Sequence, residues 1–160
     1  MTSYFLDSSA LVKRDVPETG TAWVRTITRP CAGNTILVAQ MMPAEVVSGV
    51  WRRVREGTIA PRIAQAIRLL VDRYTRREYL VIELSARIVQ RAEDLLEQHP
   101  LRAYDALQLA SALESNMRLA GADLAPLVFV TPIRGYLQPH LPKAWRSRIP
   151  MHILEPRRWT

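Results

Sequence analysis

Cysteine, lysine and long apolar runs are all scarce in this sequence of 160 residues. The lone Cys31 cannot form an intrachain disulfide, which excludes a disulfide-stabilised scaffold and is typical of a reducing compartment. No segment approaches the roughly 20 consecutive apolar residues that a membrane-spanning helix needs. A strand-like segment at 4–6 stands where a leader peptide would show a basic stretch and a cleavage site. We therefore expect a cytoplasmic protein with no membrane partner.

Several common catalytic motifs are also absent. The sequence has no GxGxxG and no GxxxxGK[ST], so a glycine-rich cradle for nucleotide phosphates is excluded. It has no GxSxG nucleophile elbow. The three histidines, His99, His140 and His152, are too far apart for metal-ligand spacing. The chemistry must therefore come from other residue types, and the carboxylates are the first candidates.

The net charge of +7 comes almost entirely from arginine, with Lys13 and Lys143 the only lysines beside 20 arginines. Arginine suits bidentate contacts with phosphate better than lysine does. An arginine-rich proteome encoded by a GC-rich genome is an alternative cause of this bias toward arginine. Position is more informative, because residues 134–160 carry six basic residues and a single acid, Glu155. We expect an anionic partner near this C-terminal segment.

Short apolar segments alternate with helical patterns along most of the chain. The apolar segments lie near 4–6, 35–38, 79–82 and 127–130, and the pattern predicts a parallel sheet covered by helices on both faces. The helices between them include one that Ser8 or Ser9 would cap and a second from about 17 to 28. After residue 131 the chain is proline-rich and basic, and one edge strand is expected at 151–154. We interpret residues 1–160 as a single domain with a Pro-rich basic segment from about 132.

Three acidic residues are candidates for chemistry. Asp7 directly follows the first strand, where open α/β sheets bind ligands, although it could instead cap the next helix. Glu45 and Asp105 fall in the first turns of predicted helices, where the helix dipole alone would favour a carboxylate. Position therefore favours a functional Asp7 and leaves both interpretations open for Glu45 and Asp105.

Four segments together resemble the ordered motifs of PIN-domain proteins, particularly VapC-type toxins of toxin–antitoxin systems. They are YFLDSSALVK at 4–13, EVVSGVWRR at 45–53, RAYDALQLA at 102–110 and VFVT at 128–131. The resemblance implies an α/β fold, a three-layer α/β/α sandwich with a central, mainly parallel sheet. It further implies a homodimeric endoribonuclease that depends on Mg²⁺ or Mn²⁺, cuts RNA and is inhibited by a cognate antitoxin.

Carried onto this sequence, the resemblance makes Asp7, Glu45 and Asp105 the metal ligands and catalytic residues. Ser9 resembles the hydroxyl residue that supports the first acid, and Thr131 resembles a hydroxyl near the fourth acidic position. The sequence departs from the family at that fourth position, where Ile133 replaces the usual aspartate.

The missing fourth acid has no evident substitute. Asp123 precedes the last strong strand, so we expect it at the opposite end of the sheet. Three carboxylates are still sufficient for one Mg²⁺, which favours oxygen ligands and completes its shell with water and substrate phosphate. An active metal-dependent ribonuclease is therefore the first hypothesis for this chain.

Two alternatives remain beside this hypothesis. Ile133 favours a PIN-like protein that binds RNA or antitoxin with weak or no catalysis. A phosphoryl-transfer protein would instead form a phospho-aspartate at Asp7 and would need a lysine at a strand end, which the sequence lacks.

Overall fold

The computed structural model describes residues 1–131 and the backbone of one further strand at 152–154. Ile133 and the rest of the basic segment from 132, apart from this strand, lie outside the described residues. No helix in the described part is long and apolar enough to cross a membrane. In chain order the elements are β1 (Ser3–Leu6), α1 (Ser8–Asp15), α2 (Thr21–Ile27), a short 3₁₀ helix (Pro30–Ala32), β2 (Thr35–Ala39), α3 (Met42–Arg55), α4 (Pro61–Arg77), β3 (Leu80–Ile82), α5 (Ala86–Gln98), α6 (Ala103–Gly121), β4 (Val128–Val130) and β5 (His152–Leu154).

The five strands form one sheet in the order β3-β2-β1-β4-β5, and every neighbouring pair is parallel. The expected parallel sheet and the expected edge strand near 151–154 are both confirmed. From β1 the chain first builds outward through β2 and β3, then returns to place β4 on the other side of β1. The strand order therefore reverses at β1, and crevices at such switch points are where open α/β sheets bind ligands.

Strand side chains alternate between two hydrophobic cores, one on each face of the sheet. Leu6 and Val130 pack with helices α1 to α4, whereas Phe5 and Phe129 pack with α5 and α6. The two phenylalanine rings on this second face lie 5.8 Å apart, centroid to centroid. Because β4 and the second half of β1 are buried on both faces, these stretches are continuously apolar instead of alternating. The predicted three-layer α/β/α sandwich is confirmed.

Two predicted helix starts are wrong. Asp7, not Ser8 or Ser9, caps α1, because its carboxylate accepts a 2.8 Å hydrogen bond from the backbone N–H of Ala10. A carboxylate is also favoured by the helix dipole at this position. The second helix begins at Thr21 instead of near residue 17, because Gly20 adopts the left-handed conformation and interrupts the helical path.

Arg14 fixes the end of α1 against the corner between α4 and β3. Its guanidinium lies 3.6 Å from the centroid of the Tyr74 ring. It also donates hydrogen bonds to the Tyr79 hydroxyl and, at 2.9 Å, to the Glu78 carboxylate. The Arg14 side chain therefore holds the helix that begins at Asp7 in a fixed position relative to the sheet.

We expect Arg14→Ala to lower the free energy of unfolding by about 2–3 kcal/mol, because a half-buried cation loses charged hydrogen bonds and its aromatic contact. Urea denaturation followed by circular dichroism would measure the change. Arg76→Ala is the matched control, since Arg76 forms only an exposed ion pair with Asp72 and should lose less than about 0.5 kcal/mol. Equal losses in the two variants would contradict the proposed anchoring role.

Candidate active site at the carboxyl edge of the sheet

Asp7 lies at the centre of the sheet edge, directly after β1. Its backbone N–H donates a 3.1 Å hydrogen bond to the carbonyl of Val130, which extends the β1–β4 pairing by one residue. One carboxylate oxygen, Oδ1, accepts from the Ala10 N–H, and the other, Oδ2, accepts at 2.5 Å from the Thr131 hydroxyl. The side chain is only 4% exposed. One oxygen is therefore oriented by the first turn of α1 and the other by the residue that follows β4.

The environment of Asp7 raises the pKa of its carboxyl group. Burial raises the pKa of this carboxyl from 3.8 to about 6, against the lowering effect of hydrogen bonds from Thr131 and from the backbone of Ala10 and Ser9. Repulsion from the Asp105 carboxylate raises the pKa further, so these two acids lie within electrostatic reach of each other. A buried carboxylate of this kind would be stabilised in its charged form by a nearby cation.

Glu45 belongs to a second hydrogen-bond network beside Asp7. The Ser8 hydroxyl and the Gln108 side-chain amide both donate to the Glu45 carboxylate. The same amide nitrogen of Gln108 donates at 2.8 Å to the Ser8 hydroxyl. Because Ser8 follows Asp7 and Gln108 lies one turn after Asp105, this network connects the elements that carry the three acids. The buried amide oxygen of Gln108 has no hydrogen-bond partner among the described residues.

Asp105 and Glu45 line one open cavity of about 440 Å³. Burial raises the pKa of Asp105, while the Arg102 charge and backbone lower it. Besides its carboxylates the cavity wall carries four basic side chains, Lys13, Arg52, Arg53 and Arg102. Glu18 pairs with two of them, accepting from Lys13 at 3.1 Å and from Arg53. The cavity therefore presents both carboxylates and guanidinium groups to solvent.

The other predicted site residues lie at different distances from this centre. Thr131 contacts Asp7 through its hydroxyl. The backbone N–H of Ser9 contacts the Asp7 carboxylate, and the exposed Ser9 side chain lines the cavity. Asp123 lies in the turn before β4, at the opposite edge of the sheet, so it cannot join the cluster. Within the described ranges, no three Asp, Glu, His or Cys side chains lie close enough together to hold one ion. The three acids thus share one region without forming a closed set of ligands.

Sequence reasoning missed Ser8 and Gln108. The signal for Gln108 was present, because it is a single amide inside the strongly apolar segment ALQLA, one turn after Asp105. A polar residue in such a position must be paired when buried. The capping pattern predicts only a helix-cap role for Ser8, and Asp7 fills that role instead.

The chain belongs to the PIN-domain family, because the family model for the PIN domain matches residues 4–125. No sequence among the curated proteins matches the chain. The family match covers all three acids together with Ser8 and Gln108, and it ends before β4 and Thr131.

Solved structures show the same fold at low sequence identity. A chain of VapBC2 from Rickettsia felis, crystallised with a DNA fragment from its promoter, has 18% identity and a TM-score of 0.57, with 96% of this chain and 98% of that chain covered. A toxin–antitoxin complex from Klebsiella pneumoniae gives 16% identity and a TM-score of 0.58, covering 96% and 97%. VapC20 of Mycobacterium tuberculosis, a toxin that cleaves the sarcin–ricin loop, has 14% identity and a TM-score of 0.53. The match covers 79% of this chain and 86% of that chain.

We expect the metal-free protein to lose stability as the pH rises, because the folded pKa of Asp7, about 6, exceeds its ordinary value of 3.8. The folded state binds an additional proton in this range, so the contribution is complete below pH ~4 and lost above pH ~6. The loss should be about 3 kcal/mol.

Urea denaturation in EDTA across this pH range would test the effect against Asp7→Asn. The asparagine variant keeps a capping oxygen for the Ala10 N–H but does not titrate. Parallel curves of unfolding free energy against pH for the two proteins would show that the pKa of Asp7 is not raised in the folded state.

Proposed function

We propose that this protein is a VapC-like toxin, an endoribonuclease that hydrolyses RNA phosphodiester bonds and depends on Mg²⁺ or Mn²⁺. The observation that carries the proposal is the grouping of Asp7, Glu45 and Asp105 at the switch point of a PIN-domain sheet, beside a cavity lined with basic side chains. Carboxylates alone would repel RNA, whereas the adjacent guanidinium groups of Arg52 and Arg102 attract its phosphates.

The chemistry of the donor set suits a hard divalent cation, and binding one ion would need the three carboxylates to move closer together than they lie among the described residues. Every candidate ligand is an oxygen atom, and the three carboxylates of Asp7, Glu45 and Asp105 are the groups that would hold the ion. The amide oxygen of Gln108 has no partner within the described part of the chain and is free to accept from a donor or a cation, and a cation beside Asp7 would offset the burial that raises the pKa of this carboxyl. When bound, the cation supplies charge neutralisation at the scissile phosphate and promotes ionisation of the attacking water.

The protein's own side chains position the reacting groups. Thr131 and the Ala10 N–H fix both oxygens of Asp7, so this carboxylate needs no reorganisation. Ser8 and Gln108 orient Glu45 in the same way. On the substrate side, basic residues of the cavity wall hold the negatively charged strand while the chemistry proceeds.

The proposed partners are RNA, a cognate antitoxin and a second copy of this chain. Support for RNA comes from VapC20, which cleaves the sarcin–ricin loop, and support for an antitoxin comes from the Klebsiella pneumoniae neighbour, a toxin–antitoxin complex. The homodimer rests on the family resemblance. Because cellular RNA is the proposed substrate, we place the activity in the cytoplasm.

Metal binding can be tested without any activity assay. We expect millimolar Mg²⁺ or Mn²⁺ to raise the melting temperature by about 5–10 °C, the shift for a ligand present at roughly 100 times its Kd in a domain of this size. The shift should vanish in Asp7→Asn, which removes a charged ligand, and persist in Asp72→Asn, which alters an exposed carboxylate of α4. An unchanged melting temperature on adding either metal would count heavily against the site.

The reaction itself is tested by incubating total RNA with purified protein and Mg²⁺ and mapping new 5′ ends by sequencing. We expect Asp105→Asn to reduce cleavage by at least about 100-fold, because even indirect partners of a metal contribute 10- to 100-fold. Asp72→Asn should cut like the wild type. Cleavage that survives Asp105→Asn at full rate would point to a contaminating nuclease or to different chemistry.

A PIN-domain protein that binds RNA or antitoxin with little catalysis is the second candidate, and Ile133 at the fourth acidic position favours it. The same assay separates the two, using Ile133→Asp as the discriminating variant. Weak cleavage by the wild type that rises in this variant would show a competent fold limited by the missing acid. Robust wild-type cleavage would remove the reason to invoke the second candidate.

A further inference from the structure

We infer that a second cavity, adjoining the one that holds the acids, is a subsite for one nucleotide of single-stranded RNA, built from a stacking surface on Tyr104 and a phosphate contact from Arg52. This inference rests on the proposed ribonuclease function and extends it to how substrate is held. The second cavity has a volume of about 240 Å³ and is lined by Ala44, Glu45, Ser48, Gly49, Arg52 and Tyr104. Glu45, Gly49, Arg52 and Tyr104 line both cavities, so a strand can pass from one to the other.

The floor of this subsite is one face of α3. Glu45, Gly49 and Arg52 are spaced by four and three residues, which places them on the same side of the helix. Gly49 leaves a gap between the carboxylate and the guanidinium, since a Cβ atom added there would meet nothing within 4 Å. Helical side chains generally lean toward the helix N-terminus, and the Arg52 and Glu45 side chains both line the cavities on either side of this gap.

Arg52 has a charge that the folded protein does not use. No hydrogen bond or ion pair within residues 1–131 engages its exposed guanidinium. Its neighbour Arg53, by contrast, is paired with Glu18. A guanidinium beside a carboxylate-lined cavity that binds phosphodiesters is suited to a bidentate contact with a backbone phosphate.

Tyr104 forms the wall opposite α3. It immediately precedes Asp105 at the start of α6 and is 56% exposed, the one aromatic side chain among residues 1–131 that is largely open to solvent. More than half of the Tyr104 surface stays in contact with water, so burial accounts for only part of its role. A base stacked on the ring would cover it, and single-stranded RNA offers unstacked bases to aromatic side chains.

The stacking half is tested by fluorescence anisotropy in EDTA, which prevents cleavage. The probe is a short fluorescein-labelled single-stranded RNA of mixed sequence, beside a strand of the same length that lacks bases. We expect Tyr104→Leu to weaken binding of the RNA by about 5- to 150-fold and to leave binding of the abasic strand unchanged. Tyr104→Phe, which keeps the ring, should bind both strands as the wild type does.

The phosphate half is tested by the salt dependence of the same binding. We expect Arg52→Gln to reduce the slope of log Kd against log salt concentration by about 0.7 for both strands, the contribution of one phosphate contact on single-stranded nucleic acid. Arg55→Gln is the matched control, because Arg55 is an exposed arginine of the same helix that lines neither cavity. Melting temperatures of all variants should equal that of the wild type, since every altered side chain is exposed.

The outcomes separate this inference from the proposed function. The wild type could cut RNA while Tyr104→Leu and Arg52→Gln bind both strands as tightly as the wild type. In that case the proposed subsite is wrong, and the second cavity serves another partner. If the wild type neither binds nor cuts RNA, both the subsite and the ribonuclease proposal fail. A Tyr104→Leu effect of equal size on the abasic strand would overturn base stacking in particular.

Discussion

The structure depends on a carboxylate buried at the point where the strand order reverses. Asp7 continues the hydrogen bonding of β1 to β4, caps α1 and accepts from Thr131, so the sheet, the first helix and the fourth strand all meet at one residue. These hydrogen bonds oppose the effect of burial but do not cancel it, and the pKa of Asp7 stays near 6. The fold therefore holds an ionisable carboxyl group where burial disfavours its charged form. This situation is typical of functional carboxylates.

Structural and functional interpretations of Asp7 do not exclude each other. The capping bond uses Oδ1 and the Thr131 bond uses Oδ2, yet each carboxylate oxygen has more than one lone pair. The carboxylate can therefore keep both hydrogen bonds and still offer lone pairs to a cation. The same holds for Glu45, whose bonds from Ser8 and Gln108 orient the group without exhausting its acceptors.

The sequence predicted the sheet well because its strands are short, continuously apolar and separated by clear helical patterns. It predicted helix starts less well, since Asp7, Ser8 and Ser9 are all good capping residues and only the three-dimensional path selects among them. The acids illustrate the same contrast. The end of β1 made Asp7 a candidate on position alone, whereas Glu45 and Asp105 needed the ordered motifs of the family. Gln108 could not be placed in the network without knowing which face of α6 meets α1 and α3.

The charges of the main cavity are compatible with the proposed polyanionic substrate. Three acidic side chains line the main cavity, and one of them, Glu18, is already neutralised by Lys13 and Arg53. Arg52 and Arg102 remain to face Glu45 and Asp105, so the wall has no strong excess of negative charge. A PIN site with a fourth carboxylate would repel phosphates more strongly until metal is bound. On the proposed ribonuclease function, the absence of that acid from the sequence would lower the electrostatic barrier to RNA while it removes a ligand, so it would favour binding and weaken catalysis.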